Sequence, residues 1–245
     1  MASDKELQRH YKSVKTVGQV SGAMKAIATS KISKYGERYE ACRDYSHMLA
    51  DMLHKLPKSD RKELFVDQSA PGLYVIVQAD RGLCGSYRAD LDAFAKSVLE
   101  GEARPYEQKT ITTADSFDIF EKEYSFVFFI YQSFINILNQ QPVCTQVLPH
   151  RLEDSTDSDP ENVELLPSED SVREELTRLA VESEVTRILL EAALSQQAAT
   201  VVAMGSAYDN AKEAETNIGL AISRRRQAEI TSSVIEISQG ANIED

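Results

Sequence analysis

All seven prolines lie between Pro57 and Pro167, so the first 56 and the last 78 residues contain none. Proline removes a backbone donor and clashes with the preceding turn, so a tract without it can continue as helix unbroken. More than half of this 245-residue chain is therefore free to form one long helix at each end. Any β structure has to fit between them.

The front tract uses that freedom. Leu7, Val14, Val17, Met24, Ala28, Ile32, Tyr35, Tyr39, Cys42, Ser46, Leu49, Leu53 and Leu56 recur mostly at spacings of three and four or their sums, the period of one apolar helix face. About 50 residues at 1.5 Å each give a rod of about 75 Å, too long to be stable without a partner. The back tract offers one, with Leu176, Leu179, Val185, Ile188, Leu189, Ala192, Ala199, Val202, Ala207, Ala211, Ala214, Ile218, Ile222 and Ile235 also at helical spacing. Its stripe is narrow and alanine-rich, and small residues let helices approach closely. The two ends are expected to pair as an antiparallel coiled coil if the middle folds the chain back. Gly18, Gly22, Gly36, Gly205 and Gly219 each disfavour helix by about 1 kcal/mol relative to Ala, so kinks or close contacts are expected there.

Between the ends the period changes. Leu73-Tyr74-Val75-Ile76-Val77, short, apolar and flanked by Pro71-Gly72 and Asp80-Arg81-Gly82, reads as a buried strand. A helix over Arg88 to Leu99 follows, then strands over Tyr124 to Tyr131 and Val143 to Leu148. The expected fold class is α+β dominated by long helices, with a small, reduced, Rossmann-like α/β domain in the middle. The expected boundaries are a coiled-coil helix over 1–57, the α/β domain over 71–150, an acidic linker over 151–170 and a second coiled-coil helix over 171–240.

Composition narrows the function classes. The net charge of -12 argues against a nucleic-acid binder, which needs a basic surface. The run Phe126 to Tyr131 is far shorter than the roughly 18 apolar residues of a membrane helix, so no direct span is expected. The first ten residues read as neither a secretory signal nor a transit peptide. Three cysteines, Cys42, Cys84 and Cys144, at distant spacings argue for a reducing compartment and against a disulfide framework. No Cys or His cluster has metal-ligand spacing, so neither metal nor cofactor is expected. The loop Asp80-Arg81-Gly82-Leu83-Cys84-Gly85-Ser86 follows a strand as phosphate loops do, yet it matches neither common glycine pattern and reads as a tight turn. Cys84 has no histidine arranged beside it in sequence, and no catalytic residue is expected.

Charge is segregated. Residues 1–60 carry +4, so the remainder carries -16, which suggests acidic neighbours for the front rod. Against that background stand Arg224, Arg225 and Arg226. Successive helical residues point 100° apart, so the three fan over about 200° and cannot all face one partner helix. An external acidic surface would be held well by the multidentate guanidinium; the alternative is a sheath of solvated arginines.

These residues, with Lys12 to Val17, Gly22 to Lys31, the Asp80–Ser86 loop, Ser133-Phe134-Ile135-Asn136, Gln146-Val147-Leu148-Pro149, Ala203-Met204, Asp209-Asn210-Ala211 and Arg226 to Thr231, resemble the gamma subunit of F-type ATP synthase in order and placement. The resemblance implies a non-catalytic central shaft, turning inside a ring of alpha and beta subunits. Ion-driven rotation is thereby coupled to conformational change at catalytic sites on beta. It implies partner-binding roles for Met24 and Lys25 near an acidic beta segment, and for Arg224, Arg226, Gln227 and Thr231 at a beta loop. It also implies an epsilon- or delta-type rotor subunit and a c-ring at the lower end. The place would be the periphery of an energy-transducing membrane, on the mitochondrial matrix side or the bacterial cytoplasmic side. Arg225 has no counterpart in that pattern and falls on the apolar stripe. The middle is shorter than the resemblance requires, as though a strand-helix unit were missing. A stationary coiled-coil tether is the competing reading, and a small nucleotide-using enzyme a third.

Overall fold

The computed structural model describes residues 4–56, 65–149, 166 and 168–241. In chain order the elements are α1 (Asp4–Lys55), β1 (Gly72–Gln78), α2 (Tyr87–Glu100), β2 (Tyr106–Thr112), β3 (Val127–Phe134), β4 (Gln140–Leu148) and α3 (Glu169–Ala241). The two terminal helices are thus present as expected. Nearly all of the expected acidic linker, residues 151–165 and 167, lies outside the described residues. The chain divides into two compact units, one of Met1–Ala26 with Ala203–Asp245 and one of Ile27–Val202.

The second unit holds a four-stranded sheet in the order β2-β1-β3-β4. β1 pairs in parallel with β2 and β3, and β3 pairs with β4 antiparallel. Every residue of β1 is buried, as its continuous apolar run requires for a strand covered on both faces. On one face Leu73, Val75, Val77, Val127, Phe129 and Tyr131 pack against Val181, Val185, Ile188 and Ala192 of α3. On the other, Tyr74, Ile76 and Ile130 pack against Tyr87, Leu91 and Ala95 of α2. Gly72 is required by close approach, because a Cβ there would overlap the ring of Phe126.

β2 is a correction to the sequence expectation. Its side chains are exposed from Tyr106 to Thr110, so it carries no apolar run to announce it. Its pairing with β1 over seven residues makes it an edge strand. Residues 113–126 join β2 to β3 without a helix.

A second face of α3 packs against α1 in this unit. Leu49, Leu53 and Leu56 cluster with Ala180, and Val172, Leu176 and Leu179 lie against them. The Ser46 and Ser183 hydroxyls meet at 2.5 Å, and the Cys42 thiol reaches the Ser183 carbonyl at 3.6 Å. By length and composition one window of α3 could cross a membrane, but 67% of it is buried in this fold. Its apolar character is used by the core.

In the first unit the seam of α1 runs through Leu7, Tyr11, Val14, Gly18 and Ser21, at alternating spacings of four and three. Val17, expected on the stripe, is 52% exposed, because it lies one residue, or 100°, from Gly18. On α3, Val202 and Ile235 are likewise exposed, against expectation. The glycines mark close approach rather than breaks. A Cβ at Gly18 would stand 3.3 Å from the Ala211 Cβ, and one at Gly22 would stand 3.2 Å from the Tyr208 ring. Gly36 has nothing within 4 Å to require it.

Candidate partner-binding surface

Six side chains were singled out by sequence, and all belong to the first unit. Met24 is half-buried and Lys25 exposed on α1. Lys25 lies along α3 at Gly205, its Nζ 3.5 Å and Cε 3.6 Å from where a Cβ there would stand. Arg224, Arg226, Gln227 and Thr231 are exposed on α3. From Gly205 to Arg224 is 19 residues, about 28 Å of helix. The six residues therefore form two patches far apart on the unit, not one site.

The arginines separate as their angular fan requires. Arg224 and Arg226 face solvent, whereas Arg225 is half-buried on the line of the seam, with Nε 3.5 Å from Glu229. The Thr231 hydroxyl donates to the Gln227 carbonyl at 2.9 Å, a back-bond that leaves the Gln227 amide as the polar head of this turn. Beyond Arg225, every side chain described through Ser238 is exposed. Ile230, Val234, Ile235 and Ile237 are among them, so an exposed apolar stretch follows the two solvent-facing arginines, with Glu229 and Glu236 as the only charged residues between Gln227 and Ser238. Sequence reasoning placed Ile235 on the buried stripe and passed over Ile230, Val234 and Ile237. The available signal was that they lie off the seam positions while remaining apolar.

The enzyme-like features resolve otherwise. The Asp80–Ser86 loop is a tight turn with Leu83 and Gly85 in the left-handed region, φ 68° and 61°. Its Cys84 is buried, and that burial pushes the thiol pKa up, opposite to the shift that activates a nucleophile. Among the described residues no group of His, Cys, Asp and Glu could hold a metal ion.

Two long terminal helices with a small mixed sheet between them in sequence, and apolar side chains left exposed at the end of α3, define the class: a helix-dominated α+β subunit with no catalytic or metal constellation among the described residues. The comparisons with known proteins specify it. The family described as ATP synthase matches residues 3–114 and 101–243. The ATP synthase gamma chain of Desulforamulus reducens is 31% identical, with 98% of this chain and 99% of the relative covered. That of Desulfitobacterium hafniense is 28% identical, with 99% of each covered. Among solved structures, the Euglena gracilis mitochondrial ATP synthase OSCP/F1/c-ring structure contains a chain similar at TM-score 0.63 and 14% identity, covering 96% of this chain and 92% of that one. A chain of the rotor of the same synthase is similar at TM-score 0.59 and 13% identity, covering 93% and 98%. This chain belongs to the ATP synthase gamma chain family. It is a non-catalytic subunit of the membrane-bound ATP synthase complex. The alignment with the Desulforamulus relative runs over 280 positions, more than this chain's 245 residues, so that relative carries segments absent here.

Proposed function

We propose that α1 and α3 pair as an antiparallel coiled coil forming the asymmetric shaft of the rotor, gripped by alpha and beta subunits. Support comes from contacts within each unit that advance along one helix as they retreat along the other. In the first, Tyr11 donates to Glu215 at 3.2 Å and Gly18 faces Ala211. In the second, Ser46 meets Ser183. The proposed segments are 1–57 and 171–240 for the shaft, 71–150 for the central domain and 151–170 for an acidic linker. A lopsided shaft turning inside an approximately threefold ring favours a different conformation at each catalytic site. Rotation driven by ion flow is thereby coupled to ATP synthesis or hydrolysis.

The observation that carries this reading is the uncovered end of α3. A single helix with Ile230, Val234, Ile235 and Ile237 in water is marginal by itself and is stabilised by a sleeve that covers it. Arg224, Arg226, Gln227 and Thr231 would engage a beta loop, where charge-assisted bonds strengthen as water is excluded. Met24 and Lys25 would meet a second, acidic beta segment about five turns away. An epsilon- or delta-type subunit and the c-ring would bind the lower end. The complex would sit on the matrix side of a mitochondrial membrane or the cytoplasmic side of a bacterial one. A stationary tether, the second reading, gives no reason for Arg224 and Arg226 to be followed by an uncovered apolar stretch at Ile230, Val234, Ile235 and Ile237.

The test is Arg226→Ala with Gln227→Ala in the assembled complex. Coupled ATP turnover falls at least about tenfold, the scale of one or two charge-assisted bonds, while the isolated chain keeps its helicity. Unchanged turnover would reject the proposed contact.

A further inference from the structure

The carboxyl ends of all three parallel strands converge on one and a half turns of α3. Glu191, 4% exposed, accepts from the Ser133 hydroxyl at 2.5 Å and the Phe134 amide at 3.1 Å, at the end of β3. Its second oxygen accepts from Arg187 at 2.7 Å and from the Tyr131 hydroxyl at 3.4 Å. Gln196, 2% exposed, donates to the Asp80 carboxylate just after β1. Its oxygen accepts from the Thr113 hydroxyl at 2.9 Å, just after β2. Between these two residues the Tyr87 hydroxyl donates to the Ala192 carbonyl at 3.3 Å.

The apolar surface beside these groups is built mainly of alanine, with Leu194 the one large apolar side chain buried among them. Ala192, Ala193, Ala198 and Ala199 are all buried, and alanine raises only shallow ridges to interlock with a facing element. Apolar burial is non-directional, so it holds α3 against the sheet without fixing its rotation there. A hydrogen bond has a narrow working geometry and resists sliding. A buried charge pair, conversely, is weak evidence for stability, since apolar residues of similar volume often serve as well. The polar groups here therefore ask for a reason other than stability.

We propose that Glu191, assisted by Gln196, is a positioning residue of the rotor: it keys α3 to the strand ends so that sheet and helix turn as one body under torque. This rests on the rotor reading and adds the joint through which load passes from the central domain into α3. Neither residue touches a nucleotide or a partner subunit in this role. Its loss should be felt under load rather than in free turnover.

The experiment uses the complete ATP synthase assembled with Glu191→Ala, Glu191→Gln or Ser133→Ala, reconstituted in sealed vesicles. ATP hydrolysis with the ion gradient collapsed, and ions pumped per ATP hydrolysed, are measured on the same preparation. In Glu191→Ala, hydrolysis stays within about twofold while ions pumped per ATP fall at least about threefold, the scale of a lost hydrogen bond. Ser133→Ala gives a smaller fall. Glu191→Gln keeps an oxygen for Ser133 and Phe134 and retains most of the pumping. An unchanged pumping ratio in Glu191→Ala, or equal falls in hydrolysis and pumping, would overturn the proposal. If Glu191→Ala does not assemble, an unchanged ratio in Ser133→Ala overturns it and a reduced ratio supports it. Failure of the wild-type chain to enter an active complex would instead reject the rotor reading itself.

Discussion

Between Ala180 and Ala199, helix α3 packs against the sheet, with α1 against its start at Ala180 and Ser183, whereas from Met204 to Arg225 shielded residues alternate with exposed ones, and beyond Arg225 none described is shielded. Apolar residues are present in each: Ala180–Ala199 carries alanine, leucine and valine with Ile188, and the stretch beyond Arg225 carries Ile230, Val234, Ile235 and Ile237. In the covered stretch small residues let the sheet close on the helix. In the uncovered stretch apolar residues remain in water unless another protein arrives. The first pattern belongs to folding and the second to assembly, and one continuous helix carries both.

The sharpest way to break this contrast is to truncate one apolar residue on each side of it. Ile188 is fully buried against the sheet, and Ile188→Ala should cost about 2–5 kcal/mol, read as a lower denaturation midpoint of the isolated chain. Ile230→Ala on the exposed end should leave that midpoint within about 0.5 kcal/mol and act only on assembly with the catalytic subunits. Equal effects would show that the two stretches are not distinct.

A smaller effect tests the seam of the first unit. Gly18→Val places branched carbons against Ala211 and should destabilise by about 1–3 kcal/mol through overpacking, seen as loss of helicity at lower temperature. Gly36→Ala, at a helical glycine with open space, should stabilise by about 0.5–1 kcal/mol. If Gly36→Ala destabilised instead, that face of α1 would have a packing demand beyond the contacts described.

The smallest expected effect is on pH dependence in the sheet unit. Burial pushes the Cys144 thiol up to about 11 from an ordinary value of 9.0. A thiol held neutral in the folded state but ionised in the unfolded chain contributes stability fully below pH 9, and this is lost as pH rises towards 11. Cys144→Ala should flatten that alkaline decline in a urea titration, and alkylation of Cys144 at pH 8 should be slow until the protein unfolds. Fast alkylation of the folded protein would show the site to be open.

Legibility from sequence followed the same division. Both terminal helices, β1 and α2 could be read because their apolar residues repeat at a fixed period or form a short bounded run. β2 could not, since an edge strand with solvated side chains is held by backbone pairing to β1 and leaves little trace in side-chain pattern. Val17 was misplaced because valine's apolarity outweighed the seven-residue spacing that selects Gly18. Arg224 and Arg226 were correctly separated from Arg225, because helical angles follow from numbering alone. Glu191 and Gln196 were passed over, since a buried carboxylate or amide looks like any surface one until its partners from distant strands are in place.

The two terminal helices, β1 and α2, the charge segregation and the spread of the three arginines follow from composition and local spacing, so the chain determined them before any folding was considered. Which faces of α3 became core, which residue of each seam met a glycine, and which polar groups were carried inside depended on contacts between residues far apart in the chain. A periodic pattern specifies that a face is apolar, but only the approach of a second surface decides what covers it.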